Sequence, residues 1–475
     1  MTAEPVGAAA GSAPPQTSPV ADPAIPSEID VSDHADAGPT GAPDTGPGPL
    51  IDHENTAAVS WALFTGIAFL MLGNGLQGSL LGIRSELEGF SATATGGVMA
   101  AYFIGFMAGS RAATRALATV GHIRVFAALA SMASSATLVH ILTITPVTWG
   151  LMRFTTGLCM AGLYVVAESW INDLATNATR GRLLAVYMVV TMGAMAGGQF
   201  LLNLADPGGF ELFVIASVLV SLSLVPVSLS GRSAPPSRTP EPMSFSELLA
   251  VVPTGITVSA LVGTAAGALI GMGAVYATRV GLTPGEIALF MGAPMAGGVA
   301  LQFPIGSLSD RVSRRGVMFA VAIGATLAAG ALFVAPTSGP ITYGLMFLVG
   351  GFSFPLYSLG IAYTHDWIRP EQANGASGVL VMTNGVGAII GPLATAGLIA
   401  AFGDAMFFVV LATAHGLIAV YLAYRIVSRD ALPMSRQGRF LPVPARATAT
   451  LTSLAARRRR RPVGPGGGGH RARRR

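Results

Sequence analysis

Between Val59 and Arg425 the chain runs through one apolar stretch after another, interrupted only by short polar turns. Several stretches exceed the roughly 18 to 20 residues that carry a helix across a bilayer. Charged residues make up 11% of the 475, and hydrophobic ones 52%, whereas a soluble domain carries about 25% charged residues. Within lipid no water satisfies backbone groups, so a spanning segment must be a helix or a strand of a closed barrel. These stretches are too long for barrel strands and do not alternate as barrel strands do. The composition therefore specifies an all-α membrane protein.

Twelve transmembrane helices fit the pattern, at about 57–83, 95–117, 124–143, 147–168, 183–205, 210–230, 250–277, 286–308, 316–335, 341–363, 376–400 and 405–427. Every basic residue is arginine, which together with the Ala and Gly content suggests a bacterial chain. With the N-terminus in the cytoplasm, the inner loops hold Arg111, Arg115, Arg124, Arg180, Arg182, Arg232, Arg238, Arg311, Arg314, Arg315 and Arg369, and the outer loops only Arg84 and Arg279. That asymmetry obeys the positive-inside rule. It predicts a multi-pass protein of the bacterial plasma membrane with both termini cytoplasmic. The N-terminus lacks the basic and apolar regions of a cleaved signal peptide.

The division into domains follows composition. Residues 1–55 are Pro, Ala, Gly, Ser, Thr and acidic residues, a mixture that cannot bury enough apolar surface to offset ordering entropy and reads as a disordered acidic cytoplasmic tail. Residues 56–230 form one six-helix bundle, 231–247 a Pro/Ser-rich cytoplasmic linker, 248–430 a second six-helix bundle, and 431–475 a disordered basic cytoplasmic tail. The bundles repeat weakly. Val125-Phe126-Ala127 matches Met318-Phe319-Ala320, Gly150-Leu151-Met152 matches Gly344-Leu345-Met346, Leu163-Tyr164 matches Leu356-Tyr357, and Gly197 matches Gly391, always at an offset of 193 or 194. Six-helix halves in parallel repeat are one known plan for secondary transporters.

The most specific local signal is Gly306-Ser-Leu-Ser-Asp310-Arg311-Val-Ser-Arg314-Arg315. Gly306 permits a close helix approach. Asp310 can accept charge-assisted hydrogen bonds and face a helix N-terminus of the other bundle, and the arginines hold the loop at the inner leaflet. The stretch resembles the signature loop of the major facilitator superfamily (MFS), G-x-x-x-D-R-x-x-R-R, at every defining position. The resemblance implies the fold of that family and a gating loop that breaks and reforms as access alternates. In the first half Leu117 and Ala118 stand where Asp310 and Arg311 would fall, so a symmetric pair of latches is not expected.

Arg153-Phe-Thr-Thr-Gly157 resembles the family's fourth-helix motif R-x-x-x-G, which is associated with proton coupling. An arginine stays cationic at any relevant pH. Inside the bundle it would lower the pKa of a nearby carboxylate or attract an anion; nearer the surface it would simply snorkel. Glu168 lies 15 residues further on, about 22 Å along a helix, so the two cannot pair on one straight helix. Glu168 either titrates, as proton coupling requires, or is a structural carboxylate paired with Arg180 or Arg182. Arg153 and Glu168 are the coupling candidates. Taken with Glu-Ser-Trp-Ile-Asn at 168–172, Gly197-Gly198-Gln199, and Phe354-Pro-Leu-Tyr357, the chain from about 57 to 430 resembles the YcaD-like subgroup of bacterial MFS transporters, a resemblance that implies fold and general activity and no particular solute. Gly193-x-x-x-Gly197-Gly198 occupies the place of the antiporter motif but lacks its proline, which leaves symport and uniport open.

Polar groups at apparent mid-membrane depth are Asn74, Gln77, Gln199, Gln302, Asn384 and His415. Each must be satisfied, either by a neighbouring helix or by a solute. As a substrate-cavity set they are sparse, which favours a small or partly apolar solute. Cys159 is the one cysteine, so neither a disulfide framework nor a Cys metal site is expected. No catalytic residues, metal site or cofactor is expected: zinc-ligand spacing and phosphate-binding glycine loops are missing, and His365 with Asp366 stands alone as a reactive pair. The run Arg457 to Arg461 reads, on a membrane protein, as a solvated disordered tail first, and otherwise as a contact for anionic lipid headgroups or for the acidic N-terminal tail rather than nucleic acid. The expected function is secondary transport of a small solute by alternating access, with protons as the candidate coupling ion; a non-transporting membrane sensor on the same fold is the alternative.

Overall fold

A computed structural model describes residues 53–174, 179–229 and 243–428, with Met434, Gln437, Gly438 and Phe440 beyond them. The tails expected at 1–55 and 431–475 fall almost wholly outside the described residues, and the linker expected at 231–247 is described only from Met243. Twelve helices among those described are long and apolar enough to cross a membrane. They are built on α1 (His53–Leu87), α2 (Ala92–Val120), α3 (His122–Leu142), α4 (Pro146–Leu174), α5 (Arg180–Phe200), α6 (Glu211–Leu222, its span reaching Leu229), α7 (Pro253–Arg279), α8 (Pro284–Ser309), α9 (Arg314–Leu332), α10 (Pro340–Trp367), α11 (Ala373–Phe402) and α12 (Met406–Ser428). No strand occurs among the described residues.

Two ends differ from the expected spans for reasons visible in the sequence. After α6 the span continues as a separate turn, Leu224–Leu229. Pro226 has no N–H to offer the Leu222 carbonyl one turn back, so the helix re-starts there. The seventh helix, expected from residue 250, begins at Pro253 behind a short helix Phe245–Val251 capped by Ser244, whose hydroxyl accepts from the Glu247 N–H at 3.2 Å. Proline suits a first helical position because its missing N–H has no partner to lose there.

The halves repeat in their packing as well as in their sequence. In the first half α2 packs on α4, α1 on α5 and α6, and α3 on α4 and α6; in the second half α8 packs on α10, α7 on α11 and α12, and α9 on α10 and α12. Every pair maps onto its counterpart by adding six to the helix number, which makes two six-helix bundles of one design. Glycine makes the tightest crossings possible. A Cβ on Gly157 of α4 would fall on the Tyr102 carbonyl of α2, and one on Gly350 of α10 would fall on the Pro294 carbonyl of α8. These two glycines are again 193 positions apart. With no hydrophobic drive between helices in lipid, such backbone contact is a main source of helix association.

The bundles meet along α1–α7, α2–α11 and α5–α8. One face of the molecule carries the α1–α2, α7–α8 and α11–α12 turns and is called here the clasp face. Arg279, the last residue of α7, donates to Glu86 of α1 at 3.2 Å and to Asp404 at 2.5 Å. The opposite face carries the α8–α9 link and is called the loop face. There the two halves differ. Gly121 alone joins α2 to α3 with φ of 88°, a backbone conformation that glycine adopts without steric cost. The second half instead uses residues 310–313.

Candidate functional site

The seam between the bundles holds two adjoining cavities that share Tyr102 and Ile270 as walls. The first is lined from both halves, by Tyr102, Phe106 and Met107 of α2, Tyr357 of α10, and Asn384 and Ala388 of α11. Its volume is about 40 Å³, room for little more than a water molecule or two. The second is lined by Asn74 and Ser79 of α1, Arg153 of α4, Gln199 of α5 and Met291 and Met295 of α8.

Arg153 is buried and its guanidinium lies over the Tyr102 ring, 4.4 Å from the centroid. It faces the bundle interior and does not snorkel. A desolvated cation over an aromatic face is attracted by the ring quadrupole, by about 2 kcal/mol. Gln199 is held on both sides: its Oε1 accepts from Ser79 at 2.5 Å and its Nε2 donates to the Gly75 carbonyl at 3.0 Å. Asn74 is buried, and its Nδ2 has no hydrogen-bond partner among the described residues. A buried amide donor in that condition can donate to an acceptor that enters the cavity.

Glu168 is on the same unbroken helix, 15 positions toward the loop face, and is fully buried. The Tyr187 hydroxyl of α5 donates to its Oε1 at 3.1 Å. Tyr357 of the second half lies within electrostatic reach of the same carboxylate. Arg182, offered by the sequence as a partner, is exposed to solvent, and the Arg180 side chain lies outside the described residues. The first cavity is thus lined by two tyrosines, one from each half. Tyr102 has Arg153 behind it, and Tyr357 has Glu168.

The remaining polar candidates divide. Asn384 lines the first cavity, and its Nδ2 donates to the Ser259 carbonyl of α7 at 3.1 Å. Gln77 donates to Thr137 of α3 at 2.9 Å, Gln302 to Ser358 of α10 at 2.7 Å, and the His415 ring is 3.0 Å from Ser353 of α10. Those three bond helix to helix within one half. Sequence reasoning passed over Tyr102, Tyr187, Tyr357 and Ser79. A tyrosine inside a spanning segment has a polar tip that needs a partner, and that was the available signal.

At the loop face, Arg314 is buried and is the hub of the α8–α9 link. It is paired with Asp366 of α10 and, at 3.3 Å, with Asp310. Arg315 donates to the Arg425 carbonyl at 2.6 Å and Arg311 is exposed. Asp310 was expected to face a helix of the other bundle; its described bonds are to Arg314 and to the Phe440 N–H at 2.7 Å. Asp366, read in sequence as half of an isolated pair with His365, belongs to this charged cluster, while the His365 ring sits 2.9 Å from Ser377. No group of three or more metal-ligating side chains occurs among the described residues.

Comparison with known proteins agrees with this architecture. The family model described as Major Facilitator Superfamily matches residues 255–463. An uncharacterized MFS-type transporter of Yersinia enterocolitica is 26% identical over 333 residues, covering 69% of this chain and 84% of its own. The uncharacterized MFS-type transporter YcaD of an Escherichia coli strain is 25% identical over 358 residues, covering 74% and 91%. Among solved structures, the nucleoside transporter NupG superposes with a TM-score of 0.63 at 12% identity, covering 79% of this chain and all of its own. A bacterial homologue of the human lysosomal transporter Spinster, in an inward-facing and unoccupied conformation, gives 0.61 at 17%, covering 88% and 100%. Paired six-helix bundles and the seam between them agree with these likenesses: the chain has the fold of Major Facilitator Superfamily transporters and is similar in sequence to YcaD-type members.

Proposed function

We propose that this protein moves a small solute across the bacterial plasma membrane by alternating access, the two bundles rocking about the seam cavity. The observation that carries the reading is the cavity itself. It is walled by both halves, by Tyr102, Phe106 and Met107 of the first and Tyr357, Asn384 and Ala388 of the second, so movement of one bundle against the other changes its size and its access. Arg153 supplies positive charge, Asn74 a free donor, and Phe106, Met107, Met291 and Met295 the apolar wall. That set suits a compact, partly apolar solute bearing a negatively charged or strongly accepting group. Glu168 is the coupling carboxylate in this reading, because a buried carboxylate can exchange a proton as its surroundings change between states. Arginine placement puts the loop face in the cytoplasm, and the chain then rests with its outer, clasp face shut.

The test compares solute contents of cells lacking the protein with those of cells overproducing it, with an Arg153→Ala, Glu168→Gln variant shown to reach the membrane as control. A solute that redistributes with the wild type and not with the variant supports the reading and names the solute and direction. Equal redistribution by both removes Arg153 and Glu168 from the mechanism. A disulfide between cysteines placed at Glu86 and Arg279 locks the clasp face; transport that survives the lock overturns alternating access.

A further inference from the structure

The loop face of the second half is built around a short piece of the chain's own C-terminal segment. The Gly438 N–H donates to Asp366 at 3.0 Å, the Gly438 carbonyl accepts from Arg314 at 2.7 Å, and the Phe440 N–H donates to Asp310 at 2.7 Å. Gly438 and Phe440 thus present three backbone groups to a row of three charged side chains, Asp366, Arg314 and Asp310. The Phe440 ring closes over Gly306, where a Cβ would fall inside the ring. Gln437 lies against Arg314, Arg315 and Asp366. Every charge-bearing position of the α8–α9 link except exposed Arg311 is thus engaged inside the second half or by this segment.

We infer that the segment around Gln437–Phe440 is a strap that occupies the gating loop and biases the protein toward the state open at the loop face. The reason is competition. Asp310 Oδ1 already accepts from the Phe440 N–H and from Arg314, so a donor that the first half brings to that oxygen when the loop face closes must displace the segment. Among the described residues the first half shows no matching device: Leu117 and Ala118 stand at the equivalent positions, and Gly121 alone makes the link. Control at this face therefore belongs to one half and is set by a segment outside both bundles. The inference rests on the alternating-access reading, but its test reads conformation and not flux, so the two fail separately.

The protein is purified and reconstituted in a Cys159→Ala background with spin labels at Arg124→Cys and Ser428→Cys, both exposed on the loop face of opposite halves. Inter-label distances are compared among the full chain, a chain ending at residue 436, and Gly438→Pro, which removes one N–H while leaving the rest of the segment in place. Charge-assisted hydrogen bonds are strong enough that each one lost shifts the population toward the shorter distance by about tenfold. A synthetic peptide covering residues 434–444 restores the original distribution to the truncated chain. Unchanged distances in both variants overturn the inference, as does a shift toward longer distances. If the truncated chain fails to hold its elution profile and melting temperature, Gly438→Pro alone decides.

Discussion

The clasp of Arg279 with Glu86 invites a test of how strongly the two bundles are held at that face. Arg279→Met keeps the length and apolar stem of the side chain and removes the charge. At 3.2 Å and an effective dielectric of 20, the Coulomb attraction is about 5 kcal/mol. Most of it is cancelled by desolvation and by ordering of two side chains, and partly exposed pairs retain about 0.2–1 kcal/mol. Glu86 is the more buried partner, 14% exposed against 32%, so the upper end applies. Loss of about 1 kcal/mol changes a two-state ratio about fivefold. The bond to Asp404 lies within one half and persists in both states, so it does not enter this difference. Spin labels at Leu142→Cys and Val334→Cys, exposed at the clasp face of opposite halves, should show the open-clasp population rising about fivefold in Arg279→Met. In 1 M salt, where screening acts over about 3 Å, the wild type should approach the variant. The charge swap Glu86→Arg with Arg279→Glu should recover part of the closed population, but not all, since Asp404 then faces a carboxylate. A wild-type distribution in Arg279→Met at low salt would refute the reasoning.

Three further outcomes follow from the geometry. Glu168→Gln keeps the bond from Tyr187 but abolishes proton exchange, so it should remove the pH dependence of solute movement, whereas Tyr187→Phe should alter that dependence without abolishing it; transport assayed across a pH series in vesicles checks both. Gly157→Leu drives a side chain into the Tyr102 backbone and should cost about 1–3 kcal/mol of stability, measured as a lower melting temperature in detergent, and should displace the ring under Arg153. Gln77→Ala and His415→Ala break single helix-to-helix bonds worth about 0.6 kcal/mol, so they should lower the melting temperature slightly and leave the apparent KM for the solute unchanged, while Asn74→Ala should raise that KM at unchanged stability.

What could be read from the sequence divides along physical lines. Helix number and order were legible because a bilayer imposes length and apolarity on every span, and the fixed offset between Leu163-Tyr164 and Leu356-Tyr357 revealed the repeat before any packing was known. The breaks at Pro226 and Pro253 follow from missing N–H groups. The faces of the helices were not legible. Gln77 and Asn74 are three residues apart on α1, yet one bonds α3 and the other borders the seam, because all-round apolar helices carry no stripe to mark which side looks inward. Arg153 stood out by being charged in an apolar helix, but its partner Tyr102 lies on another helix and nothing in spacing connects them. Asp366 is likewise 52 residues from Arg314, and only the fold joins it to the α8–α9 link.

Glu86 and Arg279 are separated by 193 residues, the same interval that relates one half to the other, so they are equivalent positions facing each other across the pseudo-twofold axis. Two copies of the first half, associated about that axis, would set glutamate against glutamate. Two copies of the second would set arginine against arginine. Like charges at such a distance repel, so the clasp accepts only the unlike pairing. A contact that bridges one face of the molecule therefore also carries a preference: at this position each half matches its complement better than it would match a second copy of itself.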